Sequence, residues 1–202
     1  MITTIIFDFG DIFLNLEKEA QVEAFNKLGL TTPNEDLISK NDLFEKGKIT
    51  EQKFLESFQK YIPNASLSEI KDAWNTIIGD FPLYRLEFLQ LLSYKYKLFL
   101  LTNTDEIHIN YFEQNVGTSF FSDFYQCFEK VYYSYEMGMR KPEESIYSYI
   151  INKNNLNPKN TLFVDDKKIN TDAAQNLGLH VWNLQVGQED VVDLFKQKHL
   201  PF

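Results

Sequence analysis

The chain is poor in several things, and each shortage narrows what it can be. It has a single cysteine, Cys127, so no disulfide can close within it, which fits a reducing compartment. It has three histidines, His108, His180 and His199, and none stands at metal-binding spacing from the others or from Cys127. No apolar run approaches the roughly 20 residues that a membrane-spanning helix needs. The opening Met1–Phe7 lacks the basic start of a secretory signal, and its apolar run stops at Asp8. The cytoplasm is therefore the expected compartment. Positive charge is also short, with 20 Lys/Arg against 29 Asp/Glu and a net charge of −9. Such a balance argues against non-specific binding to nucleic acid or anionic membrane, where phosphates demand basic clusters. It leaves room for a small anionic substrate, because one divalent cation reverses a local field. No internal repeat, low-complexity run or flexible linker interrupts the chain.

What is present is a globular composition, 44% hydrophobic and 15% aromatic, enough to bury a sizeable core. Thr3–Phe7 is short, apolar and β-branched, as expected of a strand buried on both faces. Lys97–Leu101, Val131–Tyr135, Thr161–Val164 and Leu179–Trp182 read the same way. Helical patterns at about 83–93, 106–115, 143–153 and 170–177 alternate with these strands. That alternation predicts an α/β fold, a Rossmann-like three-layer core around a parallel sheet. Residues 16–80 break it: four helical stretches, at about 17–28, 34–45, 50–61 and 66–78, follow one another with no strand between. Ser66-Leu67-Ser68-Glu69 has the form of a capping box at a helix start. The organisation expected is a core of 1–15 and 81–202 with an inserted all-helical domain at 16–80. Glu189–Lys198 is expected to form an amphipathic helix against the core.

Ligands bind outside the carboxyl ends of strands in an open parallel sheet. The residues there carry chemistry: Asp8-Phe9-Gly10-Asp11 after the first strand, Thr102-Asn103-Thr104-Asp105 after the second, Arg140-Lys141-Pro142 beyond the third, and Asp165-Asp166 after the fourth. Taken singly, each aspartate reads as a helix cap, and Asp105 and Asp172 are expected to be caps. Asp165-Asp166 resists that reading, since adjacent carboxylates behind a buried strand need a cation or donors nearby. Together the set suits phosphoryl chemistry. Asp8 with Asp165 or Asp166 can hold Mg²⁺, a lysine and strand-end donors can cradle phosphoryl oxygens, and a free carboxylate can attack phosphorus.

These residues resemble the four motifs of the haloacid dehalogenase superfamily: Ile5–Gly10, Leu100–Thr104, Met139–Pro142, and Leu162–Asp166 with Asn170. Within it, the chain looks most like small bacterial sugar phosphatases whose first motif reads Asp-x-Gly. The resemblance implies a Rossmann-like fold with a helical cap at 16–80, a Mg²⁺ cofactor and a small phosphorylated substrate. It assigns Asp8 as nucleophile and metal ligand, Gly10 as a carbonyl ligand, and Thr102 and Asn103 to the phosphoryl group. Lys141 stabilises the nucleophile and the phosphoryl charge, and Asp165 and Asp166 complete the metal site. A monomer or homodimer is expected, with no nucleic-acid or membrane partner.

One position departs from the pattern. Most phosphatases of the family carry a second aspartate two residues after the nucleophile, as proton donor and then base; here it is Gly10. Asp11, one residue on, is a candidate replacement, or a cap for the next segment. The departure keeps a second reading open, a binding or regulatory protein with little turnover. A third, a carbon–halogen hydrolase, would not need the metal. In the helical insertion, Phe44 and Trp74 read as core, and Glu45-Lys46 as a solvated turn before Gly47.

Overall fold

The computed structural model describes residues 1–32 and 34–202. Five strands, β1 (Thr4–Phe7), β2 (Lys97–Thr102), β3 (Lys130–Tyr133), β4 (Thr161–Asp165) and β5 (His180–Asn183), form one sheet in the order β3-β2-β1-β4-β5. Every pairing is parallel, and the register sets Phe7 beside both Leu100 and Val164. The central strand β1 is buried along its whole length, which is why it reads as an unbroken apolar run rather than an alternating one.

The period of two along the strands sorts their side chains into two layers. Ile5, Phe7, Leu98, Leu100, Leu162 and Val164 join one apolar cluster, with Phe112, Phe124 and Trp182. Ile6, Phe99, Leu101 and Phe163 face the other way, against Ile146, Tyr147 and Ile150. The latter three lie on α9 (Glu144–Lys153). The result is the expected three-layer α/β arrangement.

Between β1 and α5 (Leu83–Ser93) run four helices: α1 (Lys18–Lys27), α2 (Glu35–Glu45), α3 (Glu51–Gln59) and α4 (Leu67–Asn75). Thr50 and Ser66 cap α3 and α4, and the capping box at Ser66 is complete with Glu69. The helices enclose their own apolar centre. Phe44 stacks on Phe54 at 4.3 Å between ring centroids, Phe25 on Phe58 at 5.0 Å, and Ile70 is fully buried among them. Ile107, on α6 (Glu106–Val116), joins this cluster from the sheet side.

Some expectations change. The third strand ends at Tyr133, and Ser134–Met137 forms a helical turn, α8, closed by Gly138 in the left-handed conformation. Ser134 explains the break: its hydroxyl accepts from the Thr104 N–H and donates to the Thr104 carbonyl, both at 3.0 Å, in place of a continued ladder. Helix α7 (Thr118–Tyr125) was not anticipated. Its aromatic run Phe120-Phe121-Ser122-Asp123-Phe124-Tyr125 carries no clear period, and packing of Phe124 among Phe9, Phe13, Phe112 and Phe128 organises it. Asp172 is not a cap. It lies inside α10 (Lys168–Asn176) and pairs with Lys168 one turn earlier. The C-terminal amphipathic segment is a 3₁₀ helix, Val191–Lys196, that buries Val191 and Leu194. No helix among the described residues is long and apolar enough to cross a membrane.

Candidate active site

The register of the sheet brings the ends of β1, β2 and β4 to one edge. Asp8 follows Phe7, Asn103 follows Thr102, and Asp165 closes β4. Lys141 arrives from the loop after α8 and is 1% exposed. Its ammonium lies 2.8 Å from Asp8 Oδ1 and 2.7 Å from Asp165 Oδ2. Asp8 Oδ1 also accepts from the Phe9 N–H at 2.7 Å. Asp165 is held further by Asn170, whose Nδ2 donates to both carboxylate oxygens at 3.0 Å, and by the Lys167 N–H at 2.8 Å. Carboxylate oxygens of Asp8, Asp165 and Asp166 come within 4.8 Å of one another.

Charge at this edge does not balance. One buried ammonium serves two carboxylates, and Asp166 adds a third negative group beside them. Burial pushes the Asp8 carboxyl up to about 7 from 3.8, against the pull of Lys141, and Asp165 adds to the rise. Burial also raises Asp166, again helped by Asp165. For Lys141, burial acts to lower the ammonium, but Asp165 and Asp8 outweigh it and the group is raised. A pocket of hard oxygen donors with surplus negative charge suits a divalent cation such as Mg²⁺.

Asn103 locks two of these segments together. Its Nδ2 donates to the Lys141 carbonyl and its Oδ1 accepts from the Lys141 N–H, both at 2.8 Å. The side-chain amide is thus engaged with the lysine loop. Thr102 and Asn103 line a cavity of about 220 Å³ that also touches Gly10 and Lys167. Its far wall comes from the helical insertion: Gln21, Asn41, Glu45 and Trp74. The Trp74 indole stacks on the His108 ring at 4.9 Å and 12°. Asp105, the N-cap of α6, accepts from Trp74 Nε1 at 3.1 Å and lies 3.0 Å from His108 Nδ1.

A model of the haloacid dehalogenase-like hydrolase family matches residues 5–184. The chain belongs to that family. It is 27% identical to a D-ribitol-5-phosphate phosphatase of Bacteroides thetaiotaomicron, over 94% of this chain and 95% of the relative. It is similar to a HAD family enzyme from the same organism solved as a magnesium complex, at 34% identity and a TM-score of 0.87 over 97% and 99% of the two chains. A structure of that enzyme in complex with magnesium and inorganic phosphate matches at 33% identity and a TM-score of 0.81, covering 94% and 97%.

The hydrolase fold thus gathers Asp8, Gly10, Thr102, Asn103, Lys141, Asp165 and Asp166 at one edge of the sheet. Asp11 is placed differently. It adopts a positive φ of 57°, and its carboxylate accepts from the Leu16 N–H at 3.1 Å and from Lys18 at 2.5 Å. Those bonds fasten the start of the insertion. Three further residues were undervalued in the sequence. Trp74 and His108 line the cavity, although the first reads as core and the second as a histidine without metal spacing. Glu45, read as part of a solvated turn, turns a buried carboxylate oxygen toward Arg140 Nη2 at 2.9 Å. The Asp105/His108 spacing at a helix start was the available signal for one of them. Nothing in the spacing singled out Asn41 or Glu45.

Proposed function

We propose that this chain is a Mg²⁺-dependent phosphatase that hydrolyses small sugar or sugar-alcohol phosphates through a phosphorylated Asp8. The observation that carries the reading is the buried Asp8–Lys141–Asp165 cluster with Asp166 beside it. The magnesium and phosphate complexes of the similar enzyme, and the ribitol-phosphate activity named for the similar relative, support it.

Asp8, Asp165 and Asp166, with the carbonyl of Gly10, would hold the ion. Bound Mg²⁺ would supply the missing positive charge, keeping Asp8 ionised and orienting the phosphoryl group. An Asp8 oxygen attacks phosphorus in line while the ester P–O bond breaks, and water then cleaves the aspartyl phosphate to release inorganic phosphate. Lys141 holds Asp8 in place and faces the charge that develops on the phosphoryl oxygens. Thr102 contributes its hydroxyl and Asn103 its main chain, its amide being engaged with Lys141. Gly10 carries no proton, and Asp11 is tied to Leu16 and Lys18. The leaving oxygen therefore takes its proton from water, and esters with more acidic leaving groups turn over faster. The helices at 16–80 would act as a cap that excludes bulk water from the cavity.

The test is phosphate release from an aryl phosphate and from D-ribitol 5-phosphate, with Mg²⁺ and with chelator. Asp8→Asn should abolish release while the circular dichroism spectrum stays unchanged. Activity retained in that variant, or undiminished by chelation, refutes the nucleophile and the metal respectively. Absence of turnover across a broad ester panel, with Mg²⁺ still bound, would favour a binding protein instead.

A further inference from the structure

The proposed chemistry accounts for one end of the cavity. The other end is built differently. One buried oxygen there, Asn41 Oδ1, accepts no hydrogen bond from any described residue, whereas the Glu45 carboxylate beside it is paired with Arg140 Nη2 at 2.9 Å. A buried acceptor left unpaired is costly, and such groups are uncommon in folded proteins. Asn41 is not free to turn its amide over. Its Nδ2 donates to Glu45 Oε1 at 3.2 Å, which fixes the carbonyl as the end left without a partner. Both residues lie on α2 and wall the same cavity that Thr102 and Asn103 enter from the sheet.

We infer that Asn41 is a specificity-determining residue whose carbonyl accepts a hydroxyl on the uncharged tail of the substrate, with Glu45 as its positioning residue. The inference rests on the phosphatase reading for the orientation of the ester, phosphoryl end toward Asp8. The chemistry of the wall sets the class of tail. The unpaired Asn41 acceptor calls for a donor, and a hydroxyl of a polyol chain satisfies it. A carboxylate or a second phosphate would bring a negative group against Glu45 and meet an acceptor where it needs a donor. The stacked Trp74 and His108 rings, with Phe9, Leu16 and Phe112, give apolar surface for the carbon chain. A volume of about 220 Å³ favours a short open-chain or single-ring tail over a nucleoside.

Glu45 serves the same end indirectly. It lies beside Arg140, and Arg140 also pairs with Asp42. These contacts hold the last turn of α2 against the loop that carries Lys141, so the reader of the tail and the phosphoryl lysine share one mounting.

Asn41→Leu keeps the branching at Cγ and removes the acceptor. Steady-state rates on D-ribitol 5-phosphate should show kcat/KM falling by about tenfold to a hundredfold, as expected for a lost buried hydrogen bond to substrate. Phenyl phosphate, which offers no hydroxyl, should keep its kcat/KM within about twofold, and this also reports that the variant is folded. A linear alkyl phosphate of similar length should not distinguish wild type from variant. Glu45→Gln, which still accepts from Asn41, should retain more ribitol-phosphate activity than Glu45→Ala. Equal losses on the ribitol and phenyl esters, or no loss on either, would overturn the assignment. Calorimetric binding of D-ribitol 5-phosphate to Asp8→Asn, with and without Asn41→Leu, separates the two proposals. Asn41-dependent binding without wild-type turnover of any ester would overturn the phosphatase reading alone. Ribitol-phosphate turnover that is indifferent to Asn41 would overturn this inference alone.

Discussion

Replacing Lys141 by methionine is the sharpest perturbation of the site, because one ammonium holds two buried carboxylates apart from their mutual repulsion. Methionine fills nearly the same volume and keeps contact with the Phe163 ring, over which the ammonium lies at 5.5 Å. The cavity cost is therefore small, and the change is electrostatic. Removing one partner of a buried ion pair costs about 3–5 kcal/mol, mostly from the stranded charge. Here two contacts are lost together, at 2.8 and 2.7 Å, with Lys141 itself 1% exposed. Without metal, a loss at the upper end of that range, about 4–5 kcal/mol, is expected. Against a typical stability of about 5–15 kcal/mol, the variant is folded but marginal.

Two conditions sharpen the test. Saturating Mg²⁺ should restore more than half of the loss, since a divalent ion neutralises the same carboxylates and binds only the folded site. Lowering the pH should also shrink it. Asp8 is already raised to about 7 in the wild type, and loss of Lys141 raises it further, so it is protonated at about pH 5 and one of the two stranded charges disappears. Urea unfolding followed by tryptophan fluorescence, in chelator at about pH 5 and about pH 8, measures the difference. A loss below about 1 kcal/mol at pH 8, or the same loss at both pH values, would refute the account of Lys141 as the neutralising charge.

Four further outcomes follow from the charged groups around the cavity. In chelator near pH 8, Asp8→Asn should be more stable than wild type, by up to about 4 kcal/mol if the whole shift from 3.8 to about 7 is relieved. Because that carboxyl is raised on folding, the metal-free wild type should lose stability as pH rises from roughly 4 through 7; a rise across that window would contradict the shift. His108 is buried, yet Asp105 at 3.0 Å outweighs burial and raises it above 6.5, so Asp105→Asn should lower the His108 titration midpoint seen by NMR, and an unmoved midpoint would dissolve the pair. Asp11→Asn should leave the dependence of rate on leaving-group acidity unchanged, because its carboxylate already serves Leu16 and Lys18; a steeper dependence would make Asp11 the proton donor.

The core and the residues at its strand ends were legible because their signals are local. A buried parallel strand has to be apolar throughout, and the first polar residue beyond it marks the sheet edge. Asp8 and Asp165 both stand in that position, and the register of β1 with β4 turns two separate stretches of sequence into one site. The helices of the insertion announced themselves through caps such as Ser66 and Thr50. What stayed hidden depends on contacts between segments far apart in the chain. Nothing around Asn41 reveals that α2 will face the loop at 140–143, or that Trp74 will reach Asp105. Aromatic-rich α7 lacked a period because its place is set by Phe9 and Phe112, not by its own pattern.

Gly10 connects the two ends of the site. A Cβ there would stand 2.8 Å from Leu16 Cδ1, the mobile end of a side chain that itself lines the cavity. An aspartate at this position would have to displace Leu16 and place a fourth carboxylate beside Asp8, Asp165 and Asp166. In a site that already pushes Asp8 up to about 7, another acid would raise its neighbours further, and the apolar wall for the substrate's carbon chain would be lost. On the proposed phosphatase reading, glycine at residue 10 exchanges an internal proton donor for a less repulsive metal site and a continuous apolar passage. The exchange suits an enzyme that draws its selectivity from the tail of the ester, where Asn41 waits for a donor, more than from assistance to the departing oxygen.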